Sequence, residues 1–374
     1  MAIGIDASRA FQEAPTGIGV YSTEVCRGLI ADPPAPLVLY LNRRTPPRDA
    51  PELGPSSRWR PIPLPRGWTR LRLDWELRRR PPELIFIPAY RLPPGPVPRA
   101  VVTIHGVEHK LAPDAYPGAA ARRVDDFVFD TLARAARVIT PSETTKADLV
   151  HHYHADPRQI TVIPHGVGSH FRPDPAPGAQ STTHPPLVDG PYLLAVGAHH
   201  QRKNIPFLVR SFARAFATAV DPPRLVVTNA TGTVADHLER QARQAGVPLQ
   251  LLPHVEGEAL AQLYRGAVAA CVPSLYEGFG LPALEAMACG TPVVAAEAGG
   301  VQEIAAGAAL LVASSSEQEW AEALLRITQD GGLRAHLSSL GLARARDFTW
   351  PRSVLEHRRL LEHELELSRS PQRR

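Results

Sequence analysis

Short apolar runs alternate with longer stretches of helical spacing from one end of this chain to the other. In the first half the runs fall at Ile3 to Ile5, Leu37 to Leu41, Leu84 to Ile87, Val101 to Ile104, Val138 to Ile139 and Ile160 to Ile163. In the second half they fall at Tyr192 to Val196, Leu225 to Val227, Leu249 to Leu252, Val268 to Val272, Val293 to Ala295 and Leu310 to Val312. Runs this short, without polar alternation, suit strands covered on both faces, and the intervening helical segments supply the crossovers that parallel pairing needs. The pattern predicts an α/β protein with two Rossmann-like, doubly wound parallel sheets.

Between the two sets, residues 171–190 are crowded with proline, glycine, serine and threonine and show no periodic apolar face, as expected of a connection between domains. The expected division is a first domain over 1–170, a linker over 171–190, a second domain over 191–349, and a C-terminal segment over 350–374. Trp350 to Leu367 carries leucine and charge at helical spacing, and Ser368 to Arg374 is expected to fray. A length of 374 residues is long for one core and ordinary for two. With 44% hydrophobic and 21% charged residues the chain is of globular type, and its 39 prolines predict many fixed loops and strand ends.

No window reaches the length of a bilayer-spanning helix, and the start lacks a basic region followed by an apolar stretch, so the expected location is cytoplasmic. Cys26, Cys271 and Cys289 are widely separated in apolar surroundings, which predicts reduced packing residues rather than a disulfide framework or metal knuckle. A net charge of +4 suits an anionic ligand or membrane surface and does not require nucleic acid.

Chemistry concentrates in Pro273 to Val294. An apolar strand ends near Pro273, Gly278 and Gly280 free the backbone of the next loop, and Pro282 suits the first turn of a helix. Outward N–H groups at that helix start, backed by its dipole, suit a diphosphate, while Glu277 and Glu285 can accept hydrogen bonds from sugar or ribose hydroxyls. After the strand ending at Val196, Gly197 to Asn204 places Arg202 and Lys203 at the carboxyl edge of a sheet, where a diphosphate leaving group needs charge compensation. In the first half, Thr16-Gly17-Ile18-Gly19-Val20-Tyr21 follows the first strand, and Gly17 and Gly19 allow close backbone approach. It is not a complete dinucleotide fingerprint, since position 22 is a serine. Helical spacing follows from Tyr21 to Ile30. His105 ends another strand on the same edge. Arg58 to Arg80, with Trp59, Trp68 and Trp75, is basic and aromatic. It reads as a solvated helix face with core tryptophans, or alternatively as a contact for anionic lipid or a lipid-linked acceptor.

Seven residues separate Glu277 from Glu285, and this segment resembles the E-x7-E signature of retaining glycosyltransferases of GT-B architecture, most closely those of family 4. The resemblance extends over almost the whole chain. It implies two Rossmann-like domains facing an interdomain cleft that closes to exclude water, with the C-terminal helix crossing back to the first domain. It assigns Glu285 to the nucleotide ribose, Glu277 to donor-sugar hydroxyls, and Arg202 and Lys203 to the phosphates. Gly278, Phe279, Gly280 and Leu281 join the donor site, Gly17 and Gly19 line the cleft, and Val255 in the Pro253 to Leu260 loop contacts the base. His105 lies close to the donor sugar and the reacting carbon. Catalysis would thus rest on His105, Glu277, Arg202 and Lys203. Gly299, Gly300 and Glu303 offer further phosphate or sugar contacts, and His165 is either a hinge or a ligand.

Two departures stand out. Ala198 occupies a position where many relatives have arginine, and His105 is followed by Gly106 rather than aspartate, a change for which Glu108 is the candidate compensation. The implied activity is retaining, metal-independent hexosyl transfer from a nucleoside diphosphate sugar, with GDP-mannose favoured. The acceptor is a hydroxyl of a saccharide, lipid-linked or small molecule. No cofactor or metal site is expected, and the partners are donor, acceptor and a peripheral membrane contact. The alternatives are a sugar-nucleotide epimerase of similar fold and a nucleotide-sugar-binding subunit without catalysis.

Overall fold

The computed structural model describes residues 2–13, 15–64, 66–89, 91–173, 187–198 and 200–369. Most of the expected linker, and the last five residues of the tail expected to fray, lie outside these described residues. The chain separates into two compact units: Met1–Val107 with Pro117–Gly166 and Trp350–Arg374, and Glu108–Tyr116 with Val167–Thr349.

The first unit contains β1 (Ile3–Asp6), β2 (Leu37–Leu41), β3 (Arg58–Pro61), β4 (Leu84–Ile87), β5 (Arg99–Thr103), β6 (Arg137–Thr140) and β7 (Ile160–Val162). They form one parallel sheet in the order β3-β2-β1-β4-β5-β6-β7. Six of the seven arise from the apolar runs. The seventh, β3, has no such run: it is a half-exposed edge strand ending in Pro61, and an edge is where proline costs no ladder hydrogen bond. The helix after β1 spans Gly17–Ala31, four residues earlier than the pattern from Tyr21 predicts, so both glycines lie within its opening turn.

A long helix, Trp350–Arg369, packs on Gly17–Ala31 within this unit. Close approach is possible because Gly28 has no side chain, and a Cβ there would collide with Val354. The helix is anchored by Glu364, which is 0% exposed and receives Arg99 Nε at 2.7 Å and Nη2 at 2.6 Å on Oε2, and Arg137 Nε at 3.0 Å on Oε1. The two arginines head β5 and β6, so a carboxylate 227 residues further along the chain than Arg137 ties helix to sheet.

The second unit contains β8 (Tyr192–Ala195), β9 (Arg224–Thr228), β10 (Leu249–Leu252), β11 (Ala269–Val272), β12 (Val293–Ala296) and β13 (Leu310–Val312), all parallel, in the order β10-β9-β8-β11-β12-β13. Adjacent strand residues enter opposite apolar layers. Leu194 and Ala270 pack with Leu284 and Met287 on one face, whereas Leu193 and Cys271 pack with Phe212 and Trp320 on the other. Burial on both faces is why these strands read as unbroken apolar runs. All three cysteines are free and buried, consistent with packing roles. Strand order reverses between β8 and β11 here and between β1 and β4 in the first unit, and in open α/β sheets ligands bind at the carboxyl edge of such switch points.

Candidate functional site

The loops that leave β8 and β11 flank the switch point of the second unit, and together with the helix that follows the second loop they carry the two cations and two acids singled out above. After β8, the turn Gln201–Lys203 and the left-handed Asn204 lead into the helix Ile205–Ala215. After β11, the loop 273–280 ends at Gly280, whose φ of +111° precedes the helix Leu281–Ala288. Backbone joins the two loops, since Leu275 N donates to Arg202 O at 2.8 Å.

Their side chains form one buried ionic group. Lys203 Nζ lies 2.6 Å from Glu277 Oε1, Arg202 Nη1 lies 2.9 Å from Oε2, and Ser274 Oγ donates to Oε1 at 2.7 Å. Glu277 is 6% and Lys203 8% exposed, so this pairing is largely shielded from water. Burial alone would raise the Glu277 carboxyl, but Arg202 and Lys203 beside it hold it down at about 2. Two cations against one carboxylate leave the group with an excess positive charge. Lysine has three donors and arginine five, so each cation keeps N–H groups beyond those given to Glu277. Arg202 Nη1 also donates to Tyr276 O at 3.1 Å.

Glu285 lies on the second turn of Leu281–Ala288 and accepts from Tyr264 Oη at 3.0 Å. Burial pushes its carboxyl up to about 7, against the opposing pull of the Tyr264 hydrogen bond and the Lys203 charge. Two acids eight positions apart therefore differ in character: one is firmly ionised inside an ion pair, and the other titrates near neutrality. Tyr264 remains a phenol, because burial and the neighbouring Glu285 both raise its ionisation.

The remaining expected donor residues divide by what they present. Phe279 turns its ring into the core, edge-on to Phe348 at 5.8 Å, so only its backbone is available to a ligand. Gly278, Gly280 and Leu281 supply the loop and the helix start. Val255 is half-buried in the loop beyond the edge strand β10 and packs against the apolar cluster that also holds Phe279 and Leu284. Ala198 fills the core behind the loop, and its N–H donates to Thr228 O. Burial would lower the Arg202 guanidinium, but Glu277, and after it Glu108 of the same unit, raise it.

Gly299 and Gly300, offered above as phosphate or sugar contacts, brace the Glu277 loop. Gly300 N donates to Glu277 O at 2.7 Å. Gly299 has φ +65°, and a Cβ on it would run into that same carbonyl oxygen. A Gly299→Ala variant is expected to displace the loop, lowering stability by about 2 kcal/mol or more as strain at a left-handed site adds to the clash. A melting temperature equal to that of the parent would contradict this bracing. Glu303 lies in the short helix Gly300–Ala305 that follows. Ser274, Tyr264 and the bracing action of Gly299 carried no local signal, because each acts on a glutamate through a turn or a tertiary contact.

In the first unit, Gly17 is exposed and Gly19 buried in the opening turn of Gly17–Ala31, where their N–H groups lack intrahelical acceptors. His105 follows β5 and is half-buried. Its Nε2 lies 3.0 Å from Pro88 O and must carry the proton there, which leaves Nδ1 as the acceptor facing His165 Nε2 at 3.4 Å. Burial pulls His105 down to about 4, so the ring is neutral at ordinary pH. His165, one residue before the unit boundary at Gly166, is buried against Tyr21 and stacked on Trp350. Tyr21 Oη lies 2.7 Å from both Thr103 Oγ1 and His357 Nε2. His357 Nδ1 donates to Ser353 O at 2.7 Å, so its Nε2 accepts the tyrosine proton.

The second unit thus gathers two cations and two acids beside its switch point, where open α/β sheets bind ligands. Comparison with known proteins says what kind of protein this is. Residues 181–342 match the family described as Glycosyl transferases group 1, and residues 15–170 match Glycosyltransferase Family 4. The chain is similar to a D-inositol 3-phosphate glycosyltransferase of Actinosynnema mirum, 39% identical over 60% of this chain and 56% of that protein. It is also similar to the O-antigen chain mannosyltransferase B of Escherichia coli, 28% identical over 75% of this chain and 74% of the other. Among solved structures, sucrose-phosphate synthase from Thermosynechococcus elongatus superposes with a TM-score of 0.78 at 21% identity, covering 98% of this chain and all of that one. The chain belongs to the group 1, family 4 glycosyltransferases and has their GT-B, two-Rossmann fold. It spans about half the length of the inositol phosphate glycosyltransferases that it matches.

Proposed function

We propose that this protein transfers a hexosyl group from a nucleoside diphosphate sugar to an acceptor hydroxyl with retention of anomeric configuration, and that the second unit holds the donor. The observation that carries this reading is the cationic, water-shielded group Arg202–Lys203–Glu277 at the β8/β11 switch point, next to a second carboxylate that titrates near neutrality. Arg202, Lys203 and the N–H groups opening Leu281–Ala288 are suited to the charge that develops on a departing diphosphate. Glu285 would accept the two ribose hydroxyls, and Glu277 would hold the cations in place and offer its remaining lone pair to the sugar.

With Glu277 committed to two cations, a covalent glycosyl-enzyme intermediate on it is disfavoured. The front-face route fits better. The bond between the anomeric carbon and the phosphate oxygen breaks, the acceptor oxygen bonds to that carbon from the same face, and the acceptor proton passes to the leaving phosphate oxygen. His105 would act as a neutral ring, which adds no repulsion beside a carbon gaining positive charge. Binding of the diphosphate by cations and backbone donors supports transfer without a dedicated metal. Mannose is the sugar we favour, since the relative of comparable length is a mannosyltransferase. The acceptor is assigned to the first unit, where Gly17 and Gly19 open a helix at the carboxyl edge of the sheet.

The test is donor binding against pH, by calorimetry with GDP-mannose, UDP-glucose and dTDP-rhamnose. Glu285 accepts hydroxyl protons best as a carboxylate, so affinity for the true donor is expected to fall as pH drops below about 7, approaching tenfold per unit. Stability of the ligand-free protein runs the other way. A carboxyl raised from 4.5 to about 7 on folding contributes stability that is full below 4.5 and lost as pH rises through about 7. Glu285→Gln should abolish both dependences. If no nucleotide sugar binds, or if binding is unchanged in Glu285→Ala, the proposed donor site is wrong.

A further inference from the structure

The segment from Arg58 to Arg80 holds eight arginines and two acids, a net +6 that exceeds the +4 of the whole chain. Outside it the protein is therefore net negative, and its positive character is concentrated in these 23 residues. The fold sorts them by face. Asp74 and Glu76 are buried and paired, Asp74 with Arg78 at 2.7 Å and Glu76 with Arg60 at 2.9 Å and Arg72 at 3.1 Å. Trp68, Leu73 and Leu77 are buried as well, and Trp68 Nε1 donates to Ile62 O at 2.8 Å, which pins the start of the helical stretch Trp68–Arg79 to the sheet.

Outward, the same stretch presents Leu71 at 65% and Trp75 at 48% exposure, four positions apart and so on one side of the helix. The expected reading of three core tryptophans thus fails at Trp75. The arginines surround it: Arg72 lies 4.9 Å and Arg79 5.2 Å from its ring centre, and Arg66, Arg70 and Arg80 are exposed nearby in sequence. A tryptophan and a leucine ringed by arginines, with every acid of the segment turned inward, has the composition of an interfacial helix. Among the described residues no helix is long and apolar enough to cross a membrane, so such a face would lie on the surface of a bilayer.

We propose that this face of the first unit docks on an anionic phospholipid bilayer, with Trp75 and Leu71 entering the headgroup region and the arginines meeting lipid phosphates. Charge complementarity selects the partner, and the apolar pair distinguishes a bilayer from a rigid polyanion, which has no apolar layer to receive it. The inference does not depend on the transferase reading.

Sedimentation of the full chain with vesicles of phosphatidylglycerol and phosphatidylcholine, compared with phosphatidylcholine alone, tests it. Binding is expected only to the anionic vesicles and should weaken as salt rises. Arg70→Gln, Arg79→Gln and Arg80→Gln should each lower partitioning about fivefold, and Leu71→Ala with Trp75→Ala at least about tenfold. Because these side chains are exposed, melting temperatures should stay at the parent value, which separates lost docking from lost folding. The proposal is overturned if the parent ignores anionic vesicles or binds both kinds equally. It is also overturned if Leu71→Ala with Trp75→Ala leaves vesicle binding unchanged while heparin binds as tightly, which would make the face a site for soluble polyanions.

Discussion

Glu277→Ala is expected to lower kcat/KM for sugar transfer by three orders of magnitude or more and to destabilise the second unit by about 3 kcal/mol. The two effects share one cause. Removing the carboxylate leaves the buried Lys203 beside the half-buried Arg202 without their shared anion, and uncompensated burial of charge is costly. The cations then move apart or draw in water, and the geometry for a diphosphate is lost with them. Glu277→Gln separates the contributions. It keeps the shape and can still accept from Lys203 and Ser274, so it should fold better than the alanine variant while transfer remains impaired.

Acid provides an independent reading of the same residue. A carboxyl lowered from 4.5 to about 2 contributes stability that is present above 4.5 and lost as pH falls toward 2. The parent should therefore lose stability over that window by an amount that Glu277→Gln does not show. Thermal unfolding at pH 7 and pH 3, paired with transfer assays, checks both statements. Transfer by Glu277→Ala within tenfold of the parent would remove the ion-paired group from the mechanism.

Glu364→Ala is expected to destabilise the first unit by about 3–5 kcal/mol, read as a shift in the denaturant midpoint. The variant deprives the partly buried Arg99 and Arg137, at the heads of β5 and β6, of the carboxylate they share, and it loosens the helix Trp350–Arg369 that supplies Trp350 and His357 to the packing around Tyr21 and His165. Replacing all three charges together by Met at Arg99, Leu at Arg137 and Met at Glu364 should recover most of that loss, since a buried ion pair owes much of its apparent strength to the cost of breaking it. If Glu364→Ala unfolds at the parent midpoint, the anchor is superfluous. Donor affinity, assigned to the other unit, should persist in Glu364→Ala under conditions where it stays folded.

The elements that were legible in advance share a property. Strands such as Leu84–Ile87 and Val293–Ala296 are buried on both faces, so their own residues state their environment. β3 escaped because an edge strand answers to only one neighbour and can be basic, aromatic and proline-ended. The helix start at Gly17 escaped because glycine weakens the helical pattern where it begins. At the site, the spacing of Glu277 and Glu285 and the cations at 202 and 203 were visible as motifs. Their opposite titration was not, because it follows from tertiary surroundings: burial raises the Glu285 carboxyl, while at Glu277 the neighbouring Arg202 and Lys203 outweigh burial.

Local periodicity and motif order, taken alone, determined that this chain builds two parallel α/β sheets and that its loops resemble those of group 1 glycosyltransferases, because strand burial and loop chemistry are written over a few neighbouring positions. Only the folded arrangement decided that Glu277 is held between two cations, that Gly299 and Gly300 brace its loop, that His105 is neutral, and that Trp75 faces outward. Each of these depends on which distant segments meet and how much water they exclude, and those are properties of packing rather than of any single stretch of chain.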